Sequence, residues 1–110
     1  MCIRDSIDLN VHLIKNVPAT FVIRVQGRSM TDVGINDGDI LVVDKSLNPR
    51  NFSTVIANVH DELVVKTFVQ ERDKKFLTSG SKKFEDRILI NEEEDIFIWG
   101  VVTYVIHSVY

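Results

Sequence analysis

Residues 53–69 read STVIANVHDELVVKTFV, two β-branched apolar runs, Ser53–Val59 and Glu62–Val69, on either side of the polar pair His60-Asp61. Valine, isoleucine and threonine fit a pleated surface better than a helix, and a two-residue polar break between such runs signals a β-hairpin. The same pattern extends outward. Thr20–Gln26 (TFVIRVQ) predicts a strand ending at Gly27, and Asp39–Asp44 (DILVVD) predicts another, entered through the turn Asn36-Asp37-Gly38. Downstream, Lys75–Thr78 and Arg87–Ile90 are shorter strand candidates with a polar loop between them. Ile96 to Val109 closes the chain as one long strand, or as two joined at Gly100. Helix is confined to a short turn after Ser29 and a segment near Leu9–Ile14. Short strands separated by turn signals, with little helix, predict a mainly-β single domain.

Composition narrows the function classes. The chain has 110 residues, 45% of them hydrophobic and 26% charged, as expected of an ordinary globular domain. A formal charge of −3 supplies no basic field for gripping phosphates, so direct sequence-specific DNA binding is not expected. The single cysteine, Cys2, cannot form an intrachain disulfide, which suits a reducing cytosol, and it reads as an inert residue on a frayed end. The opening MCIRDSIDLN has charges where a secretory signal needs an apolar core. The longest apolar stretch, Ile96 to Ile106, is too short to cross a bilayer and alternates as a strand does. A soluble, cytoplasmic protein without membrane contact is the expectation. The clusters Glu71–Lys75 (ERDKK) and Asn91–Asp95 (NEEED) read as solvated loops between strands.

Two residues carry the candidate chemistry. Ser29 lies in Gly27-Arg28-Ser29-Met30, where a strand gives way to a turn, and a serine at such a strand end can be exposed yet held rigid. Taken alone, a serine beside a glycine is usually a turn residue. Lys66 sits inside Leu63-Val64-Val65-Lys66-Thr67-Phe68, where alternation places Val64, Lys66 and Phe68 on one face. On the residues alone, a lysine on an edge strand with its head in water is the commoner case. Together the two have a specific logic. A serine hydroxyl is a weak nucleophile until a base takes its proton, and a lysine is a base only when neutral. Its reference pKa is roughly 10.4, and burial against apolar neighbours lowers it toward cellular pH. Serine–lysine pairs are a known variant of the catalytic triad that dispenses with histidine. His12, His60 and His107 therefore read as surface or strand residues, and their scatter lacks metal-ligand spacing. No metal and no cofactor are expected.

The stretches GRSMTDVGINDGDILVVDKSLNPR (Gly27 to Arg50) and ELVVK (Glu62 to Lys66) resemble the LexA/UmuD group of self-cleaving proteins, peptidase family S24. The step of 37 residues from Ser29 to Lys66 (66 − 29) matches that group's nucleophile-to-lysine spacing. The segment IDLNVHLIKNVPATFVIRV, Ile7 to Val25, is similar to the UmuD branch in particular, and IWGVVTYVIH, Ile98 to His107, to the family's C-terminal strand. The resemblance covers residues 7–109 and leaves residues 1–6 as an unmatched tail ahead of a core domain at 7–110. It implies coiled β-sheets of the LexA C-terminal and signal-peptidase-like type. Ser29 would be the nucleophile and Lys66 the general base. The backbone N–H groups of Arg28 and Ser29 would form the oxyanion hole, and Asp37, Gly38 and Asp39 would shape the turn behind the site. It also implies a homodimer, an error-prone translesion polymerase catalytic subunit as partner, and stimulation of self-cleavage by the RecA–single-stranded DNA filament in the SOS response.

There are departures from the family pattern. Arg28 stands where the family often has an acidic or apolar residue, and Asn51-Phe52-Ser53-Thr54 replaces its usual glycine-aspartate turn. The family's scissile bond is typically Cys–Gly or Ala–Gly, whereas here Cys2 precedes Ile3, and the five glycines follow Gln, Val, Asp, Ser and Trp. The sequence given thus resembles the processed form, and it is not expected to cut itself. Three other readings compete: the C-terminal domain of a LexA-type or phage repressor, a type I signal peptidase, and an interaction module with a vestigial dyad. The Ile7–Val25 segment favours the UmuD branch over the repressor. The lack of a membrane anchor disfavours the signal peptidase. In the C-terminal strand, Phe97, Trp99, Val101 and Thr103 alternate with Ile98, Gly100, Val102 and Tyr104. Both of its faces are apolar, so the strand is either central in its sheet or covered by a dimer partner.

Overall fold

The computed structural model describes residues 19–27, 33–79 and 87–107, and residues 2–6 as backbone. The expected turn after Ser29 and the helix near Leu9–Ile14 fall outside these residues, apart from Val33, which is in 3₁₀ conformation. Among the described residues, eight strands form in chain order: β1 Cys2–Ser6, β2 Thr20–Gln26, β3 Ile40–Asp44, β4 Thr54–Val59, β5 Glu62–Glu71, β6 Lys74–Thr78, β7 Ile88–Leu89 and β8 Ile96–Ile106. All pair antiparallel in the order β1-β2-β3-β8-β4-β5-β6-β7. A further pairing of β1 with β5, Cys2 opposite Val64, closes the first six strands of that order into a ring. β6 and β7 extend from β5 outside the ring. The mainly-β expectation holds. Cys2–Ser6, expected to be part of an unmatched tail, is instead a paired strand along β2.

The hairpin at 53–69 forms as read. His60 and Asp61 adopt φ of 50° and 67°, the two left-handed residues that a tight primed turn needs to match strand twist. The ERDKK cluster is not a loop. Glu71 pairs with Lys74, so only Arg72 and Asp73 lie outside strands, in a second tight hairpin. The NEEED cluster forms an exposed 3₁₀ turn, Glu92–Glu94, with the Asn91 side chain accepting from the Glu93 amide.

β8 is one strand, not two, and it runs between β3 and β4 at the centre of the sheet. That position accounts for apolar residues on both faces without a partner chain. The simple alternation expected of it is broken twice. Ile56 and Ala57 face Gly100 and Ile98, so Trp99 is an extra residue, and Val42 and Val43 face Tyr104 and Val102, so Thr103 is another. Each bulge reverses the alternation. Ile96, Ile98 and Val101 consequently share one apolar cluster, whereas Trp99, Val102 and Val105 join the other. Thr103 Oγ1 donates to the Val42 carbonyl at 3.1 Å, closing the ladder at the second bulge.

Two apolar clusters result. Ile23, Val25, Ile35, Leu41, Val43, Ile56 and Val65 are the buried residues of the first. Val55, Ala57, Phe68, Leu77, Ile96 and Val101 are those of the second. Neighbours on β4 and β5 divide between them, which is why these strands read as nearly continuous apolar runs.

Candidate active site

The candidate residues belong to the end of β2 and the middle of β5, two strands on either side of β1. Val25, one residue before the end of β2, packs in the same buried cluster as Val65 of β5. β1 spans the same interval, with Cys2 opposite Gln26 on one side and Val64 on the other. Two strand spacings separate Gln26 from Val64, roughly 10 Å at the usual inter-strand distance. Arg28 and Ser29 lie outside the described residues. Their approach is described.

That approach is held by the turn into β3. The Gly38 amide donates to the Val25 carbonyl at 2.9 Å, and the Val25 amide to the Asp39 carbonyl at 2.8 Å. Asp37 Oδ1 accepts from the Gly27 amide at 2.9 Å. Gly27 and Gly38 have φ of 103° and 87°, a region where a side chain is strained. The Asp37-Gly38-Asp39 turn therefore grips the chain immediately before Arg28. Asp39 is buried, and its Oδ2 accepts from the Asn36 amide at 2.7 Å and contacts His107 Nδ1 at 2.7 Å. This contact, absent from the sequence reading of His107, ties the end of β8 to the same turn. His60 occupies the hairpin turn, and His12 lies outside the described residues.

Lys66 stands opposite Val55 on β4, with Val64 and Phe68 two residues away on its own face. All three belong to the second apolar cluster, as buried or packed members. Lys66 itself is half-buried. It is not a lysine with its head in open water, because Nζ donates to Ser79 Oγ at 2.7 Å. Ser79 is the residue that sequence reasoning missed. The register pairing Thr67 with Thr78 and Glu71 with Lys74 puts Ser79 opposite Lys66. Counting across the Arg72-Asp73 turn would have found it, had ERDKK been read as a tight hairpin.

A half-buried lysine on an apolar strand face suits proton transfer more than metal binding. Among the described residues, no group of three His, Cys, Asp or Glu side chains gathers to hold a metal ion. No helix among them is long and apolar enough to cross a membrane.

Comparison with known proteins shows what the chain is similar to. The family model described as Peptidase S24-like matches residues 2–103. Protein MucA of Salmonella typhimurium is 37% identical over 101 residues, covering 92% of this chain and 68% of that protein. Protein ImpA of Escherichia coli is 41% identical over 103 residues, covering 94% and 69%. The LexA repressor of Providencia rettgeri is 37% identical over 90 residues, covering 82% of this chain and 44% of the repressor.

Proposed function

The chain belongs to the Peptidase S24-like family, and from that membership we propose that it is a serine peptidase core of the UmuD branch, with Ser29 as nucleophile and Lys66 as general base. The observation that carries this reading is the half-buried Lys66 on an apolar face of β5, two strands from the tethered end of β2.

The chemistry balances without a cofactor. Neutral Lys66 Nζ takes the Ser29 hydroxyl proton as Oγ bonds to the scissile carbonyl carbon. Backbone N–H groups of Arg28 and Ser29 stabilise the oxyanion. The lysine returns the proton to the leaving nitrogen as the C–N bond breaks, giving an acyl-serine and a free amine. Water, deprotonated by the same lysine, then releases the acid and restores the hydroxyl. Supporting interactions hold the parts in place, and positioning is a large share of such catalysis.

In the cell we assign this core to the SOS response, as the cytoplasmic accessory subunit of an error-prone translesion polymerase. It would act as a homodimer, with cleavage stimulated by the RecA–single-stranded DNA filament. Family membership supports these assignments. The repressor similarity favours one alternative, the self-cleavage and dimerisation domain of a LexA-type protein. Genomic sequence upstream of the Ile7 codon separates them. A short arm with a Cys–Gly or Ala–Gly pair fits the first, and a helix-turn-helix fits the second.

The peptidase reading is tested by cleavage in trans. An arm-bearing family member with its own serine replaced is the substrate, at mildly alkaline pH. The wild type should cut it, while Ser29→Ala and Lys66→Ala should not. Equal rates for wild type and either variant would overturn the assignment.

A further inference from the structure

We propose that Ser79 is a positioning residue for Lys66, holding in place the amine that acts as the base. The proposal rests on the dyad reading above and adds a third side chain to it.

Ser79 follows β6, and the antiparallel register continues through it to set it opposite Lys66. Residues directly opposite in an antiparallel pair project to the same face, close enough for side chains to meet. Both residues are half-buried, and the contact of 2.7 Å is short for a bond from an amine to a hydroxyl. The residues around the pair are closely packed. Val65, Thr67, Leu77 and Thr78 are all buried at 2% exposure or less. β5 and β6 are joined by the tight Arg72-Asp73 turn, so the spacing between the two side chains is set by the hairpin itself.

The role follows from the donor inventory. A neutral lysine amine has two N–H bonds and one lone pair, whereas the ammonium has three N–H bonds and none. The Ser79 hydroxyl oxygen accepts one N–H in either state. While that bond holds, the four-carbon side chain cannot swing freely, and the neutral amine keeps its lone pair for a proton. An alanine at 79 removes this hold on the amine and lets it sample orientations less suited to accepting a proton. Misplacing a reacting group in this way lowers the rate of the bond-making step and leaves the affinity for substrate unchanged.

The test is the trans-cleavage assay with four proteins: wild type, Lys66→Ala, Ser79→Ala and Ser79→Thr. Ser79→Ala should lower kcat by roughly 10- to 100-fold with KM unchanged. Ser79→Thr, which restores the hydroxyl, should recover most of the loss. Thermal midpoints of all four should stay close to the wild type. Ser79→Ala cutting at the wild-type rate while Lys66→Ala is inactive overturns this inference alone. A loss in Ser79→Ala that appears in KM, or that threonine does not restore, also overturns it. Full activity in Lys66→Ala instead sinks the dyad on which it rests.

Discussion

Asp37 Oδ1 accepts a hydrogen bond of 2.9 Å from the Gly27 amide, so the residue immediately ahead of Arg28 and Ser29 is fastened to the turn that enters β3. If that bond sets where the nucleophile sits, Asp37→Ala should lower trans-cleavage by roughly tenfold. Asp37→Asn, which keeps an acceptor oxygen, should retain most of the activity. Both variants should unfold within about 1 kcal/mol of the wild type, since the bond is exposed. Equal rates for the alanine and asparagine variants would show that the tether does not govern the site.

Gly100 is required by packing. A Cβ added there would sit 2.6 Å from Val43 Cγ1, and Val43 is fully buried and stiff at χ1. Gly100→Ala should therefore destabilise the protein by roughly 1–3 kcal/mol through overpacking between β3 and β8. Urea unfolding measures it, and an unchanged midpoint would mean that the two strands separate more easily than their register suggests.

Phe52 takes φ of 70° while 59% exposed, in the turn closed by the Ser53 amide to the Arg50 carbonyl at 3.0 Å. A left-handed conformation costs a residue with a Cβ roughly 1–2 kcal/mol. Glycine relieves that cost and gives back about 0.5–1 kcal/mol through its freer unfolded chain. Phe52→Gly should thus gain roughly 0–1.5 kcal/mol, whereas Phe52→Val should lose stability. Chemical denaturation of both variants decides, and a less stable glycine variant would show that the ring contributes contacts that outweigh the strain.

The strands that form as read are those whose signals are local. β2, β3 and the β4–β5 hairpin carry their own alternation and their own turn residues, and His60-Asp61 is a turn by its polarity alone. The faces of β8 were not legible. The bulges at Trp99 and Thr103 arise from matching one long strand to two different neighbours, which no single-strand pattern encodes. The pairing of the polar segment Cys2–Ser6 was hidden for the same reason. At the candidate site, motif and spacing put forward Ser29 and Lys66 as a proposal, whereas Ser79 and the His107–Asp39 contact depend on long-range register. Short polar clusters misled most, because ERDKK is charged like a loop but built like a hairpin.

Arg87 meets the Glu71 carboxylate through both terminal guanidinium nitrogens, each at 2.9 Å. That hydrogen-bonded pair holds Glu71 below its ordinary carboxylate range, against a smaller upward push from desolvation. A carboxyl with a depressed folded value adds stability above its unfolded value and loses it as pH falls through the folded one. In Arg87→Gln, the Glu71 carboxyl resonance should titrate at a higher pH than in the wild type. The stability gap between the two proteins should be open at neutral pH and close on acidification. A gap that persists unchanged in acid would assign the effect of Arg87 to packing.

The central claim is that the amine at position 66 is the base, and replacing and then rebuilding that amine tests it most directly. In a Cys2→Ser background, which removes the chain's one native thiol, Lys66→Cys supplies a single thiol that can be alkylated with an aminoethyl group. The product has an amine at the reach of lysine, with sulfur in place of one methylene. Trans-cleavage should vanish in the Lys66→Cys protein and return after aminoethylation, with the fold unchanged by circular dichroism throughout. Cleavage by the unmodified cysteine protein at the wild-type rate, or a natively folded aminoethylated protein that stays inactive, would contradict the account.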